Sequence, residues 1–165
     1  MADDGDFAAW AGGCYGSLLH AAHLLTGDRD SAQDLVQTAL AKTQVSWRRV
    51  RTNPDAYVRR VLVTTHTDWW RRRPWMERPT DQLADTPALR DEMRAVDERA
   101  SLLQALQSLT PRQRATVVLR HYHQLTEQET ADALDCSVGT VKSTASRALA
   151  LLRAHPALDR TKETC

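Results

Sequence analysis

Apolar side chains recur every three or four residues along most of this chain, which is the spacing of one face of an α-helix. The clearest case is a C-terminal stretch that places Val141, Ala145, Ala148, Leu149 and Leu152 on one side. No segment shows the sustained apolar and polar alternation that is typical of a half-buried strand. The sequence therefore predicts an all-α protein.

Helix-capping residues divide the first half into predicted helices. One helix is predicted from about Phe7 to Thr26, where Gly27 ends it, and Asp30 or Ser31 is predicted to cap the next. The sequence Asn53-Pro54-Asp55 is typical of a helix start, because Asn caps the free amides and Pro suits the first turn.

Residues 74–97 interrupt the helical pattern with three prolines, mixed charge and few large apolar side chains. We interpret this segment as a linker, with a helix that starts late in it as the open alternative. The predicted architecture is two small helical domains joined by a flexible linker. The expected boundaries are a first domain at 1–77, a linker at 78–98, a second domain at 99–158 and a tail at 159–165.

The second domain contains the pattern of a helix-turn-helix. After a helix that starts at Thr110-Pro111, Thr126 and Glu129 form a capping box. A short helix then runs to Leu134, and Ser137 is predicted to cap a longer helix that ends near Ala154. Two helices separated by a tight turn, with the second helix longer, are typical of DNA-binding motifs. An ordinary helical hairpin is the alternative interpretation.

Net charge is only +1, but the charge is unevenly distributed. Residues 1–41 carry −5, residues 42–78 carry +7, residues 79–110 carry −3 and residues 111–165 carry +2. A strongly basic block inside a nearly neutral protein is typical of a surface that binds a polyanion, because phosphate contacts supply most nucleic-acid affinity. A solvated basic helix face would give the same composition.

The sequence gives little support for catalysis or for binding of a metal or cofactor. No His, Cys and carboxylate cluster has metal-ligand spacing, and no phosphate loop or nucleophile motif is present, so we expect no cofactor, no metal and no enzymatic activity. The acidic start and the absence of a long apolar run predict a cytoplasmic protein without membrane insertion. Three scattered cysteines, Cys14, Cys136 and Cys165, are expected to be reduced, with a redox-sensing thiol as the alternative.

Three segments together resemble an extracytoplasmic-function (group IV) RNA polymerase sigma factor of bacteria. They are "GDRDSAQDLVQTALAKTQVSW", "NPDAYVRRVLVTTHTDWWRRR" and the stretch from "LTPRQRATVVLRHY" to "LTEQETADALDCSVGTVKSTASRALALLR". The double Trp followed by three Arg is most similar to an actinobacterial-type subgroup. The resemblance implies a sigma region 2 at 1–77, a region 4 at 99–158, and promoter-specific transcription initiation with core RNA polymerase.

The resemblance also assigns roles to residues. For the separated −10 strand it implies a set of basic, amide and aromatic side chains: Arg48, Arg49, Arg51, Asn53, Arg59, Arg60, Trp70, Arg71, Arg72 and Arg73. Arginines attract phosphates, and an aromatic face stacks on an unpaired base. Trp69 is expected in the core. Thr64 stands where the family often has Asn.

For the −35 duplex the implied set lies mostly on the last long helix: Arg112, Arg114, Ser137, Thr140, Lys142, Ser143, Ser146 and Arg147. Short polar and basic side chains suit a helix that lies in a major groove. Thr144 and Ala145 depart from the Arg and Leu that relatives often carry there.

The expected partners are promoter DNA and the clamp and flap regions of core polymerase. Asp34, Leu35 and Gln37 are the predicted polymerase-binding residues. The family also implies an anti-sigma factor as a further partner. A stand-alone helix-turn-helix regulator is the alternative function, and it would bind DNA without joining polymerase.

Overall fold

The structure is a computed structural model that describes residues 2–72 and 90–159; side chains are described from residue 5 in the first stretch and from residue 96 in the second. Every regular element in these two stretches is helical, which confirms the predicted all-α class. The helices are α1 (Ala2–Thr26), α2 (Arg29–Val45), α3 (Trp47–Val50), α4 (Pro54–Arg72), α5 (Arg90–Gln107), α6 (Pro111–Val117), α7 (Glu127–Leu134), α8 (Val138–Arg153) and α9 (Pro156–Asp159), with a π-helical turn (Val118–Tyr122) after α6.

Helices α1, α2 and α4 pack around an aliphatic core that forms the centre of the N-terminal half. Leu25, Leu35 and Leu62, one from each helix, are fully buried there. Burying a leucine side chain stabilises a fold by about 1.5–3 kcal/mol, so a few such residues hold this short bundle together. The short helix α3 then carries the chain from α2 into α4.

The caps predicted at Thr110, Thr126 and Ser137 are confirmed, the cap of α2 is corrected, and α1 begins at Ala2, earlier than the predicted start near Phe7. Thr110, Thr126 and Ser137 each accept a hydrogen bond from a first-turn amide, and the first two close complete capping boxes. The cap of α2 is Asp28, not Asp30 or Ser31: its carboxylate accepts from the Ser31 amide at 2.9 Å. The cap therefore lies two residues before Asp30 and three before Ser31, and α2 begins at Arg29.

Helix α5 begins at Arg90, inside the segment that the sequence assigned to the linker. Part of the expected linker, 90–98, is therefore helical, while 73–89 lies outside the described residues. The start of α5 is the late helix that the sequence left open within this segment. Helix α5 continues through Leu106, which is buried in the C-terminal half against Ala148 and Leu152 of α8.

The two halves share one apolar core. Val118 and Leu119 of the π-helical turn and Ala133 of α7 belong to the same buried cluster as the leucines of α1, α2 and α4. Leu24, near the end of α1, packs in turn against the cluster formed by α5, α6 and α8. The sequence predicted two units, and the structure adds that they are packed against each other.

Among residues 2–72 and 90–159, two residues other than glycine adopt a positive φ, and both flank α7. Asp135 has φ 51° and ψ 54° in the helix-turn-helix turn, and Gln124 has φ 53° before α7. This left-handed conformation normally favours glycine, because Cβ approaches the following carbonyl oxygen. The turn of the helix-turn-helix thus has an aspartate in a conformation that usually requires glycine.

Replacing Asp135 with glycine should raise the free energy of unfolding by about 1 kcal/mol, because glycine adopts the left-handed region without strain. Urea unfolding followed by circular dichroism would measure the change. Asp132→Gly, an exposed change inside α7, is the matched control and should lower the free energy of unfolding by roughly 0.3 kcal/mol, the difference between glycine and aspartate in helix propensity. A loss of stability in Asp135→Gly would contradict the argument.

Candidate nucleic-acid interface

Helix α8 has one buried face and one polar, basic face. Val141, Ala148 and Leu152 are buried and hold the helix against α5, α6 and α7. The predicted DNA-reading residues of the helix are all exposed: Thr140, Lys142, Ser143, Ser146 and Arg147. The structure thus brings these side chains to one solvent-facing surface, of the kind that enters a major groove.

The start of α8 presents hydroxyls and free amides at the same surface. The Ser137 hydroxyl accepts from the Thr140 amide at 3.1 Å and lies 2.9 Å from the Thr140 hydroxyl. The positive end of the helix dipole attracts anions at this position. Lys142 lies 3.6 Å from the Glu127 carboxylate of α7, but both side chains are exposed, so the pair is weak enough for a phosphate to replace.

The basic block of the first half surrounds α3 and both ends of α4. Its exposed members are Arg48, Arg49, Arg51, Asn53, Arg60, Trp70, Arg71 and Arg72. Arg59 is only partly exposed, and its Nε is buried without a hydrogen-bond partner in the described structure. Arg73 lies outside the described residues. Asn53 caps α4 as predicted, since its side-chain oxygen accepts from the Ala56 amide at 3.3 Å.

An aromatic cluster that the sequence reasoning missed supports this basic loop. The rings of Phe7, Trp10 and Trp47 lie 5.1–5.8 Å apart between centroids. The Trp10 indole donates to the Asp55 carboxylate at 2.8 Å, which ties α1 to the first turn of α4. The sequence does contain a signal for this cluster. Phe7 and Trp10 are three residues apart, as on one helix face, and Trp47 begins the arginine-rich stretch.

Arg114 was predicted to contact DNA, and the structure contradicts this. The side chain is only 1% exposed. Its guanidinium donates to main-chain oxygens at the ends of two helices: Leu25 of α1 and Leu106, Gln107 and Leu109 at and after the end of α5. Burial lowers the pKa of Arg114 to about 10, so it is still charged at neutral pH. Arg112, in contrast, is exposed as expected.

Of the predicted polymerase-binding residues, two are exposed as expected and one is buried. Asp34 and Gln37 are exposed on one side of α2. Leu35 is fully buried in the core of the first half, so it cannot contact a partner in this conformation. The correction follows from the helical period, because residue 35 shares its face with buried Ala32 and Ala39.

Comparison with known proteins decides the family. Two domain families match in chain order: sigma-70 region 2 over residues 13–76 and sigma-70 region 4 over residues 99–152. The RNA polymerase sigma-E factor of Streptomyces coelicolor is 48% identical over 139 residues, which is 83% of this chain and 78% of that protein. The chain is an extracytoplasmic-function sigma factor.

More distant relatives support the same family assignment and fold. The extracytoplasmic-function sigma factor SigX of Bacillus subtilis is 28% identical over 144 residues, covering 81% of this chain and 74% of that protein. A solved sigma factor, RpoE of Bartonella quintana in complex with the anti-sigma factor NepR, has the same fold with a TM-score of 0.70. It is 23% identical, and the match covers 90% of this chain and 94% of that chain. As a sigma factor, the protein directs RNA polymerase to promoters.

Within this sigma factor, Thr64 occupies the position where the family often has Asn. Its side chain is exposed on α4, but the hydroxyl donates to the Arg60 carbonyl at 2.8 Å, within its own helix. The shorter side chain is thus engaged with the backbone. Trp69 packs against the core as predicted, whereas Trp70 is 44% exposed and its indole donates to the His66 Nε2 at 3.2 Å.

Neither a membrane span nor a metal site emerges from the parts of the chain that the structure describes. No helix in 2–72 or 90–159 combines the length and apolar character that crossing a bilayer requires. Within the same stretches, no three His, Cys or carboxylate side chains come together as metal ligands do.

His66 is a buried histidine of α4, close enough to the Arg114 guanidinium to interact with its charge. It is 1% exposed, and its Nδ1 makes no hydrogen bond of normal geometry in the described structure, although the Leu25 main chain acts weakly to raise its pKa. Burial, and next the charge of Arg114, lower the pKa of His66 to about 4. The folded sigma factor therefore holds this histidine neutral.

Because His66 is held neutral, we expect the free energy of unfolding to fall in weak acid. The unfolded histidine takes up a proton below about pH 6.5, whereas His66 in the fold does so only near pH 4. The contribution of neutral His66 to the free energy of unfolding is complete above pH 6.5. It declines as the pH falls toward 4, and at pH 5 it is smaller by about 2 kcal/mol. We expect His66→Gln, which keeps an acceptor for Trp70, to lose less stability than the wild type between pH 7.5 and about pH 5 in urea unfolding. Equal losses would contradict the assignment.

Proposed function

We propose that this sigma factor holds two promoter elements through separate surfaces while it is bound to core RNA polymerase. In this proposal, α8 reads the −35 duplex, and α3 with α4 holds the separated −10 strand. The exposed side of α2 with Asp34 and Gln37 contacts the polymerase clamp. The sigma factor catalyses no reaction itself and acts in the cytoplasm.

The observation that carries the −35 assignment is the separation of faces on α8. Buried aliphatic side chains pack one face of α8 against the rest of the C-terminal half. On its other face, Thr140, Lys142, Ser143 and Arg147 are all exposed to solvent. Such a helix can enter a major groove without exposing its apolar side. Arg112 at the start of α6 is positioned on the same half of the molecule to add a phosphate contact.

The −10 assignment is supported by charge combined with an aromatic ring. The arginines of α3 and of the α4 ends provide phosphate attraction along a short surface. Trp70 is exposed enough to stack on an unpaired base, and an aromatic face contributes about 1–3 kcal/mol per stacked base. The aromatic cluster behind α3, fixed by the bond from Trp10 to Asp55, would hold this surface rigid.

Further partners follow from the family. Promoter DNA and core polymerase are the required ones. The RpoE protein of Bartonella quintana is in complex with an anti-sigma factor, and we include a protein of that kind among the partners to test. The family match disfavours the alternative function, a regulator that binds DNA without joining polymerase.

Run-off transcription with core polymerase and a library of genomic promoters tests the function directly. We expect specific transcripts, weak promoter binding by the free chain, and stable co-purification with core enzyme. Tethering to polymerase raises the effective concentration of each DNA-binding surface, so neither needs to bind tightly alone. Tight operator binding by the free chain, together with no complex with core enzyme, would favour the alternative function.

Arg147→Ala tests the −35 surface. If the guanidinium contacts a base edge, transcription from a selected promoter should fall by roughly 5- to 100-fold, which corresponds to about 1–3 kcal/mol. Arg153→Ala is the matched control, because Arg153 is also exposed on α8 but near its end and outside the predicted surface. Equal activity in the two variants would contradict a role for Arg147 in reading DNA.

A further inference from the structure

We infer that His66 is a positioning residue for Trp70. It holds the Trp70 indole in the orientation in which the exposed ring can stack on an unpaired base of the −10 strand. This inference rests on the proposed stacking role of Trp70. It adds a function for a buried side chain of α4 that does not touch DNA itself.

A single hydrogen bond joins the two side chains along α4. The Nε1 of Trp70 donates to the Nε2 of His66, four residues earlier in the helix, at 3.2 Å. Side chains four residues apart lie on the same helix face. The Arg114 guanidinium of α6 also approaches the Trp70 ring, at 5.9 Å from its centroid, but the bond to His66 lies within α4 and needs no other element.

The chemistry of the two groups decides which one accepts. An indole N–H can only donate, so the Nε2 of His66 supplies a lone pair, and the hydrogen of the neutral imidazole is on Nδ1. Burial, and next the charge of Arg114, lower the pKa of His66 to about 4, so this lone pair is present at neutral pH. A protonated imidazole has two donors and no acceptor, and it would not hold the indole.

His66 is itself fixed by its surroundings. Its side chain is 1% exposed, whereas Trp70 is 44% exposed. A side chain in a close-packed interior keeps one rotamer, because neighbouring atoms fill the space that the others need. The main chain of Leu25, at the end of α1, acts weakly on the same ring as a hydrogen-bond acceptor. The bond to Nε2 therefore ties an exposed ring to an immobile partner in the core.

The bond leaves the part of Trp70 that a base would contact. An indole N–H lies in the plane of its ring, so the bond uses the ring edge and neither face. Arg71 and Arg72 follow in the same helix and are exposed. Arg71 lies 3.9 Å from the Asp68 carboxylate, but both side chains are exposed, so the pair is weak. A strand whose base stacks on the ring would thus meet cationic side chains next to its phosphates.

Holding the ring in advance lowers the cost of binding a strand. An exposed Trp side chain rotates about two bonds, and immobilising such a side chain on binding weakens affinity by about two- to tenfold. When His66 already restricts Trp70, the strand does not bear this loss of freedom. The effect should appear in the affinity for a single strand, and only when the Trp70 ring is present.

The test uses the complex of core RNA polymerase with the full chain, and a promoter selected by the run-off assay. The probe is a labelled single strand of about 12 nucleotides from the −10 region of that promoter, and fluorescence anisotropy follows its binding. His66→Leu removes the acceptor at similar side-chain volume and should bind the probe about fivefold more weakly. His66→Gln keeps an acceptor and should bind as the wild type does.

A double-variant comparison separates positioning from a general defect in the fold. Trp70→Ala should weaken binding by roughly 5- to 150-fold, the loss expected from one base stack. In that background His66→Leu should cause no further loss, because no ring remains to be positioned.

Val58→Ala is the matched control for damage to the core of α4. Val58 is 1% exposed and lies about three helical turns before Trp70. This variant should lower the free energy of unfolding without changing the affinity of the assembled complex for the probe. The affinity of each assembled complex for a duplex that carries the −35 region should equal that of the wild type.

Three results would overturn the inference while Trp70→Ala remains defective. They are wild-type affinity in His66→Leu, an equal loss in His66→Gln, and a full further loss when His66→Leu is added to Trp70→Ala. Unchanged affinity in Trp70→Ala would instead overturn the stacking role in the proposed function, and the inference with it. Failure of the wild-type chain to initiate with core polymerase would overturn the proposed function as a whole, whatever the variants do.

Discussion

A buried guanidinium joins the two halves of this sigma factor. Arg114 donates to four main-chain oxygens and, among the described residues, forms no ion pair with a carboxylate. Charge-assisted hydrogen bonds and the negative ends of α1 and α5 offset the cost of burying the charge. Removing the side chain would leave several buried carbonyls without a donor, and each such loss costs about 1–3 kcal/mol. The position of α6, and with it the rest of the C-terminal half, follows from this contact.

The same contact places Arg59 and Trp70 of α4 beside the C-terminal half. With α6 fixed against the end of α1, α7 packs against α4, where the Nε of Arg59 is buried, and the Arg114 guanidinium of α6 lies 5.9 Å from the Trp70 ring. Helix α8 lies on the far side of α6 and α7, so its polar face remains in solvent.

Much of the fold could be predicted from local sequence signals. Capping residues such as Thr126 and Ser137 act within one helical turn, and the polar face of α8 follows from the helical period alone. Arg114 and Leu35 were misplaced for a different reason: both were assigned by motif position, although each shares a face with buried residues. The burial of Arg114 also depends on carbonyls of Leu25, 89 residues earlier in the sequence, and no local pattern reports such a contact.

Hydrogen–deuterium exchange of the full chain tests most directly whether the Arg114 contact packs the two halves together. The account predicts that amides at the end of α1 and in the π-helical turn are protected in the wild type and lose protection together in Arg114→Met. Rapid exchange at both sites in the wild type, or unchanged protection in Arg114→Met, would contradict it.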